Sequence, residues 1–387
     1  MNILIAPNAL KGTLTALEAA QAMQRGVAHS LPEAKCTLFP MADGGSGTID
    51  ALLAIHGGTR IQTKVTGPLR TQVLAEFALL SDQQTAVVEM AQASGLKLVP
   101  ESERDPFRTT SFGTGELLLR AVERGASTII LGIGDTATID GGAGMLQAIG
   151  VSLTDDQGQE LAAGNAPLAA LSQIKLDQLD SRLRTIQVVI ACDVQHQLSG
   201  PEGAVYVFGP QKGARPQDLP VLEANLTRLA DHLERVTGTP YRTLPGSGAA
   251  GGIGGALVSV LDARLVSGSR LLIESHLFQE ALSHANLVLT GEGCLDQQSL
   301  AGKGPWAVAQ AAKAQQVPVF TFVGRCQIPA ETVQVAGFTS VIELPQPESL
   351  EYPGLTLEQT VAQRVGSWSI SKKENGPEVF IHPRPIF

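Results

Sequence analysis

Short runs of aliphatic residues alternate with longer segments of helical spacing along most of this chain. The first run covers residues 1–6, and a helix is predicted over residues 15–29, where Thr15 and Glu18 have the spacing of a capping box. Later runs rich in Val, Ile and Leu predict strands at residues 85–90, 128–132, 185–192, 287–290, 317–323 and 340–344. This alternation is typical of βαβ units and predicts an α/β fold with a largely parallel sheet.

The length and composition of the chain agree with that fold. A chain of 387 residues exceeds the usual size of one domain and allows two, each with its own core. Hydrophobic residues make up 43% of the sequence, whereas charged residues reach 17% and aromatic residues 4%. Such values are typical of buried parallel strands with aliphatic side chains. We therefore expect two α/β domains.

The charge and the N-terminus exclude several classes of partner. A formal net charge of −9 opposes binding to nucleic acid or anionic lipid, which requires clustered Lys and Arg. No apolar run approaches the ~20 residues of a membrane span, and the N-terminus lacks the features of a secretory signal. We expect a cytoplasmic protein with no nucleic-acid or membrane partner. Buried, reduced thiols are expected at Cys36, Cys192, Cys294 and Cys326.

Four glycine-rich loops follow apolar runs, and several of them carry a carboxylate or a lysine. They span residues 42–47, 132–142, 246–255 and 290–303. Glycine lets backbone N–H groups approach an anion closely, and a following helix adds the positive end of its dipole. The loops therefore predict an enzyme that handles phosphate.

Neither of the two common nucleotide-binding fingerprints is well matched by these loops. The turn at Lys303 lacks the earlier glycine of a Walker-type phosphate loop. The segment from Gly132 to Gly134 follows a strand with the spacing of a dinucleotide fingerprint, and Asp155 lies at a suitable distance for a ribose contact. That signal is weak, because the loop is longer than the tight turn of a dinucleotide site. A nicotinamide-dependent oxidoreductase that uses the Gly132 loop is therefore the alternative enzyme.

Four acidic residues lie at or just beyond the carboxyl ends of predicted strands: Asp43, Asp193, Glu292 and Asp296. Open α/β sheets place their ligand crevice at this edge. Mg²⁺ usually takes one or two carboxylates together with substrate phosphates and water. A single such residue could equally cap a helix or close a turn, but four at equivalent positions favour a shared ligand site.

Three lysines lie in glycine turns near strand ends, at Lys11, Lys212 and Lys303. For Lys212, the turn over residues 208–213 predicts an ammonium group that points outward. Lysines in such turns are candidates to clamp a phosphate or a carboxylate, although most surface lysines only increase solubility. His196 follows a strand as well, where a lone histidine is more often structural than catalytic.

In their order along the chain, these motifs resemble those of the bacterial glycerate kinases that transfer phosphate from ATP to D-glycerate. The resemblance runs from Met1 to about Gly366 and is carried by residues 5–12, 42–45, 65–69, 89–91, 93–96, 104–106, 109–111, 113–116, 140–144, 191–194, 208–213, 245–252 and 290–293, with Asp296, Ser299, Gly302 and Lys303. It implies ATP and Mg²⁺ as cofactors. It also implies a doubly wound, flavodoxin- or Rossmann-like domain built from both ends of the chain, a second α/β domain inserted in it, and catalysis between the two.

On this basis we expect residues 1–90 and 285–370 to form the doubly wound domain and residues 91–284 the inserted domain. Residues 371–387 are expected to form an atypical tail with little order. The sequence departs from the family pattern at Asn8, where Asp is usual, and also at Asp135 and Ile139.

The implied reaction is an Mg²⁺-dependent in-line transfer of the γ-phosphate of ATP to a hydroxyl of D-glycerate, with 2-phosphoglycerate as the favoured product. Catalytic roles are predicted for Asp193, Lys11 and Asp296, with Asp193 as the group that orients or deprotonates the hydroxyl. The predicted metal ligands are Asp43, Glu292 and Asp296. The predicted ligands of substrate or phosphate are Asn8, Lys212, Ser247, Gly248, Gly251, Lys303, Gly141 and Gly142.

Two alternatives to the kinase remain open from the sequence. One is the oxidoreductase described above, and the other is a regulator that binds glycerate or nucleotide without turnover. The sequence also leaves open whether the protein forms a homodimer.

Overall fold

The computed structural model describes residues 1–10, 12–297, 299, 304–345 and 353–375. Contacts between residues divide the chain into two compact units. Unit 1 comprises Met1–Asp43 and Gly268–Phe387, and unit 2 comprises Gly44–Ser267. Unit 1 is therefore discontinuous in sequence, and unit 2 is continuous.

Strands and helices are numbered here in chain order. The strands are β1 (Asn2–Ile5), β2 (Lys35–Leu38), β3 (Gly58–Thr66), β4 (Gln72–Leu80), β5 (Thr85–Glu89), β6 (Thr128–Gly132), β7 (Ser152–Thr154), β8 (Gln173–Lys175), β9 (Gln187–Ala191), β10 (Arg264–Val266), β11 (Leu287–Leu295), β12 (Val319–Cys326) and β13 (Ser340–Glu343). The α-helices are α1 (Ala16–Ser30), α2 (Thr48–His56), α3 (Ala91–Ser94), α4 (Phe112–Glu123), α5 (Ala143–Ala148), α6 (Ala204–Phe208), α7 (Leu219–Thr237), α8 (Ile253–Leu261), α9 (Gly268–Ile273), α10 (His276–Ser283), α11 (Gly304–Ala314), α12 (Ala330–Val335) and α13 (Pro353–Asn375).

Unit 1 is built on a parallel sheet with the strand order β13-β12-β11-β1-β2. Counted from the N-terminus within the unit, this is the 2-1-3-4-5 order of flavodoxin-like doubly wound sheets. The central strands are buried, and Val288 and Leu289 of β11 are 0% exposed. The prediction of an α/β fold with a doubly wound parallel sheet is confirmed.

Helix α1 begins at the capping box predicted from the sequence. Thr15 Oγ1 accepts a hydrogen bond of 3.1 Å from Glu18 N, and Glu18 Oε2 accepts one of 2.8 Å from Thr15 N. The apolar face of α1, which includes Met23 and Val27, packs into the unit 1 core together with Leu357 of α13. Helix α13 continues to Asn375, past the point at which the atypical tail was expected to begin, and residues 376–387 lie outside the described residues.

Unit 2 contains a mixed sheet with the strand order β10-β9-β6-β5-β4-β3. Strands β10, β9, β6 and β5 run parallel, and β3 and β4 form an antiparallel hairpin that pairs through β4 with β5. Strands β7 and β8 form a small separate sheet. Helices α4, α5, α7 and α8 contribute to the hydrophobic core of unit 2. Helix α7 buries four leucines in this core: Leu222, Leu226, Leu229 and Leu233.

The units differ from the predicted domains at both boundaries. Residues 44–90 were expected in the first domain, but β3, β4 and β5 pair with the sheet of unit 2. Residues 268–284 were expected in the inserted domain, but α9 and α10 belong to unit 1. In both places the hydrogen-bonded sheet or the packed helices, and not the position in the sequence, decide which unit a segment joins.

Among the described helices, none combines the length and the apolar character needed to cross a membrane.

Helices α1 and α13 approach each other closely at Gly26. A Cβ atom built on Gly26 would lie 2.4 Å from Glu358 O and 2.9 Å from Val361 Cβ. We expect Gly26→Ala to lower the free energy of unfolding by about 1–3 kcal/mol, because the helices must move apart to admit the methyl group. Chemical denaturation followed by circular dichroism measures this change.

The matched control is Gly354→Ala in α13, where the nearest atom to the added Cβ is 3.8 Å away. This variant should be as stable as the native protein or slightly more stable, since alanine favours helix over glycine by about 1 kcal/mol. Equal denaturation midpoints for the two variants would contradict the close contact between α1 and α13.

Candidate active site

Three of the predicted site residues of unit 1 lie along the edge where its parallel strands end. Asn8 follows β1, and its N–H donates a hydrogen bond of 2.8 Å to Gly291 O. Glu292 lies within β11 and is 8% exposed, and Asp296 directly follows that strand. The sheet therefore brings one amide and two carboxylates to the same edge, which is where doubly wound sheets bind ligands.

The side chain of Asn8 packs against the first residue of α11. A Cβ atom on Gly304 would lie 2.1 Å from Asn8 Oδ1, so only glycine leaves room for the amide at this position. Asn8 Oδ1 is buried and has no hydrogen-bond partner among the described residues. Among the described residues, no contact therefore supports a helix-capping role for this oxygen. A buried amide oxygen is instead suited to bind a cation or the water bound to a cation.

Asp296 belongs to a tight turn at the end of β11. Its Oδ1 accepts a hydrogen bond of 3.1 Å from Ser299 N, and Ser299 Oγ accepts one of 3.2 Å from Asp296 N. Ser299 Oγ also donates to Cys294 O at 3.3 Å. These bonds hold the half-buried Asp296 carboxylate in one orientation beside the end of the strand.

Of the three other predicted residues of unit 1, the structure describes Asp43. Asp43 is exposed and is the last residue of the first segment of unit 1. Lys11 and Lys303 lie outside the described residues.

Within the described residues, no three His, Cys, Asp or Glu side chains form a cluster that could hold a metal ion. Magnesium bound with a nucleotide does not require such a cluster, because it takes one or two carboxylates and completes its shell with phosphates and water.

In unit 2, Asp193 lies just beyond the carboxyl end of β9. Its Oδ1 accepts a hydrogen bond of 2.5 Å from Ser267 Oγ, and Ser267 directly follows the neighbouring strand β10. The backbone continues this pairing, because Cys192 N donates to Val266 O at 2.8 Å. Two adjacent strand ends thus position a half-buried carboxylate at the edge where a substrate would bind.

Lys212 points into the protein, and the prediction of an outward ammonium is wrong. The residue is 2% exposed, and its Nζ donates to Thr136 Oγ1 at 3.0 Å and to Thr138 O at 2.9 Å. Burial lowers the pKa of Lys212 to about 7, and the charge of Asp140 opposes that shift. The reason for the inward direction is that the loop after β6 supplies acceptors for the ammonium. A contact of Lys212 with a ligand remains a prediction.

The carboxylate of Asp140 organises the loop that Lys212 contacts. Asp140 is 0% exposed, and its Oδ2 accepts hydrogen bonds of 2.8 Å from both the N–H and the hydroxyl of Ser111. Gly142 N and Gly144 N also donate to this carboxylate, at 3.2 and 3.3 Å. Burial raises the pKa of Asp140, and the four hydrogen bonds oppose that shift. Its place among glycines was visible in the sequence, but its function as the anion at two helix starts was not predicted.

The predicted anion-binding glycines of unit 2 contact other parts of the unit. Gly141 N donates to Gly251 O at 2.9 Å, and a Cβ on Gly141 would lie 2.5 Å from Leu229 Cδ2. A Cβ on Gly251 would lie 2.2 Å from Thr138 O. Both glycines are therefore required for the close packing of these loops, and their part in ligand binding remains a prediction.

Ser247 and Gly248 are likewise bonded within unit 2. Ser247 is 0% exposed, and its hydroxyl accepts from Leu198 N at 3.0 Å and donates to Arg242 O at 3.0 Å. Gly248 N donates to His196 O at 3.0 Å. In this structure both residues shape the loop after β9, and binding of phosphate by them stays a prediction.

His196 agrees with the structural interpretation. Its Nδ1 lies 2.8 Å from Glu202 O, and its ring meets the edge of the Phe208 ring at a centroid distance of 5.3 Å. These contacts join the loop after β9 to the turn before α6 and to Phe208, the last residue of that helix.

The glycine loops at residues 44–47 and 132–134 pack backbone against backbone. Cβ atoms on Gly132 and Gly134 would lie 2.8 Å from Gly44 O and 2.6 Å from Gly45 Cα, and a Cβ on Gly44 would lie 2.0 Å from Ala191 O. The space that a dinucleotide pyrophosphate would need beside the Gly132 loop is thus filled by the protein itself. The oxidoreductase alternative receives no support.

Two carboxylates that the sequence did not single out as site residues hold this pair of loops. Asp135 Oδ2 accepts from Ser46 N at 3.1 Å and from Ser46 Oγ at 2.7 Å. Glu89, which is 3% exposed, accepts from Gly47 N at 2.9 Å and from Ile49 N at 2.8 Å at the start of α2. Burial raises the pKa of Glu89, and these N–H groups oppose the rise. The signal in the sequence was the position of Glu89 at the end of a strand.

Comparison with known proteins agrees with these features. A sequence model of the glycerate kinase family matches residues 3–364. The chain is 42% identical over 377 residues to the glycerate kinase of Bacillus subtilis (strain 168), which is 96% of this chain and 99% of that protein. It is also 42% identical over 344 residues to the glycerate 2-kinase of Escherichia coli (strain K12), or 89% of this chain and 90% of that protein.

A solved structure shows the same similarity in three dimensions. The crystal structure of a candidate glycerate kinase 2 from Salmonella typhimurium LT2 has a TM-score of 0.87 and 39% sequence identity, and it covers 96% of this chain and 99% of that one. The match therefore extends over both units. The resemblance found in the motifs is confirmed, and the chain belongs to the glycerate kinase family.

Proposed function

We propose that the protein is an ATP-dependent glycerate kinase that transfers the γ-phosphate of ATP to a hydroxyl of D-glycerate. The observation that carries this proposal is the family match over residues 3–364, together with relatives that the chain matches over nearly their whole length. The carboxylates at the strand ends of each unit are the kind of group that such a transfer requires. A regulator that binds without turnover is the competing function, and dependence of ATP consumption on glycerate distinguishes the two.

Asp193 is proposed as the residue that accepts the proton of the attacking hydroxyl. Phosphoryl transfer leaves little covalent chemistry to the protein, so its main tasks are to orient the nucleophile and to stabilise charge. Ser267 holds one carboxylate oxygen of Asp193 through a hydrogen bond of 2.5 Å. A carboxylate with a set orientation is suited to align the substrate hydroxyl as well as to take its proton.

Mg²⁺ is proposed to bind at the strand ends of unit 1. Asp296, Glu292 and the amide oxygen of Asn8 are hard oxygen donors, which are the ligands that Mg²⁺ prefers. When bound with ATP, the ion would supply positive charge against the phosphate oxygens. The buried Asn8 Oδ1 supports this assignment, because no donor among the described residues forms a hydrogen bond with it. The predicted roles of Asp43, Lys11 and Lys303 are retained as proposals.

We further propose that the protein works in the cytoplasm, where its substrate ATP is available, and that 2-phosphoglycerate is the product. One of the relatives bears the name glycerate 2-kinase.

Phosphorus NMR of the reaction with ATP and D-glycerate identifies the product directly. We expect a new phosphorus resonance split into a doublet by the single proton on carbon 2, since phosphorus on carbon 3 would couple to two protons. Omitting glycerate should abolish ATP consumption. A triplet would instead assign the 3-phosphate, and the absence of any glycerate-dependent signal would contradict the kinase proposal.

Replacement of Asp193 by Asn keeps the size of the side chain and removes its basicity. We expect kcat to fall by about 10²-fold or more, the usual scale for general base catalysis, while KM for glycerate changes little. Steady-state kinetics at saturating ATP measures both constants. Asp177→Asn, at an exposed position of the same unit, is the control and should leave kcat unchanged. Near-native turnover by Asp193→Asn would remove the residue from the mechanism.

Asn8→Asp tests the metal proposal, because it adds a negative charge to the buried oxygen without changing its position. A charged carboxylate holds a hard cation more firmly than an amide does. We expect half-maximal activity at a lower concentration of free Mg²⁺ than in the native protein, measured at saturating ATP and glycerate. Gln157→Glu, at an exposed position of unit 2, adds the same charge elsewhere and should not shift the curve. Superimposable Mg²⁺ titrations for the native protein and Asn8→Asp would reject this ligand role.

A further inference from the structure

Arg104 carries a guanidinium group for which the described part of the chain offers no acceptor. The residue is half-buried, its Nε is buried, and none of the described residues accepts a hydrogen bond from that atom. Three other arginines of unit 2, Arg182, Arg215 and Arg242, each pair with a carboxylate of the same unit. Because a buried donor without an acceptor is costly, its retention at Arg104 indicates an acceptor outside the described residues, such as a bound ligand.

The backbone of Arg104 is locked against the turn that carries Lys212. Gly213 has a φ of +98°, and a Cβ on it would lie 2.2 Å from Arg104 O and 2.9 Å from Arg104 Cβ. Lys212 is the neighbouring cation on this turn, and its ammonium is bonded to Thr136 and Thr138. Of these two cations, Arg104 is therefore the one whose buried Nε has no acceptor within the described part of the chain.

The connecting segment that contains Arg104 starts at the edge of the sheet where a ligand is expected. The segment that contains it connects the carboxyl end of β5 to α4. The loop bonded to Lys212 follows the carboxyl end of β6, and Asp193 follows that of β9. Since β5, β6 and β9 are adjacent and parallel, these three connections start from the same edge of the unit 2 sheet.

We propose that Arg104 binds the carboxylate of glycerate. The proposal rests on the proposed function and names the group that recognises the acid end of the substrate. A guanidinium presents its N–H donors in one plane, which matches the two oxygens of a carboxylate. This contact distinguishes glycerate from neutral polyols that carry the same hydroxyl groups.

A phosphate of ATP is the other source of anionic oxygens, but the surroundings favour the small carboxylate. Polyphosphates are usually held by several backbone N–H groups of a glycine loop. In unit 2 the N–H groups of Gly141, Gly142 and Gly248 already donate to protein acceptors. A single cation with its own planar set of donors is better suited to one carboxylate.

Steady-state kinetics of Arg104→Gln tests the proposal with each substrate varied in turn. We expect KM for glycerate to rise by roughly 10- to 100-fold, the scale of a lost hydrogen bond between charged groups, and KM for ATP to change by less than about 2-fold. Arg104→Lys keeps the charge without the planar fork and should give an intermediate rise. Arg108→Gln, at an exposed position of the same segment, is the matched control and should leave both constants unchanged.

A second measurement varies the substrate instead of the protein. Calorimetry compares the binding of glycerate with that of glyceramide, in which a neutral amide replaces the carboxylate. The native protein should prefer glycerate by about 10-fold or more, and Arg104→Gln should lose most of that preference. Equal preference in the two proteins would overturn the proposal even if the variant were less stable.

The outcomes separate this proposal from the proposed function. If the native protein phosphorylates glycerate and Arg104→Gln keeps a native KM for glycerate, only the role of Arg104 is rejected. A rise confined to KM for ATP would assign the residue to phosphate and also overturn the proposal. If the native protein does not phosphorylate glycerate at all, the function itself is rejected and the inference fails with it.

Discussion

The close approach of two loop backbones at the edge of the unit 2 sheet is the contact on which much of its site depends. Gly44 meets Ala191 at the end of β9, and Gly132 and Gly134 leave room for Gly44 and Gly45. A side chain at these positions would separate the loops, so the arrangement requires glycine on both sides. The carboxylates of Asp135 and Glu89 complete this junction, because they accept hydrogen bonds from backbone N–H groups of the loop that begins at residue 46. Protein carboxylates thus occupy the positions at which the glycine pattern predicted a bound anion.

The fold was predictable where local sequence and tertiary burial agree. Buried parallel strands such as β6 read as continuous aliphatic runs, and the Thr15–Glu18 pair marks the start of α1. The β3–β4 hairpin was not predicted, because much of it faces solvent and apolar residues such as Leu74, at 62% exposed, do not follow a simple burial pattern. Missing that hairpin also displaced the predicted domain boundary, since the hairpin joins the sheet through β5.

The positions of the candidate site residues on the sheets were predictable, but their contacts were not. Strand ends place Asn8, Asp193 and Asp296 at sheet edges, and that placement follows from topology alone. The direction of Lys212 could not be deduced, because its acceptors Thr136 and Thr138 are distant in sequence and meet it only in the folded unit. Glycine is ambiguous for a similar reason: it permits the approach of a phosphate and of another backbone equally well, and sequence alone does not say which.

The discontinuity of unit 1 has a consequence for how the chain is made. Strand β1 lies between β2 and β11 in the sheet. It therefore lacks its neighbouring strand on one side until the segment after residue 286 has been synthesised. Unit 2 is continuous, and all of it is synthesised before β11. During that interval the apolar face of α1, with Met23 and Val27, has no α13 to cover it. The earliest part of the polypeptide is therefore among the last to reach its final packing, and until then it presents apolar surface and an open strand edge, which are the features that favour aggregation of partly folded chains.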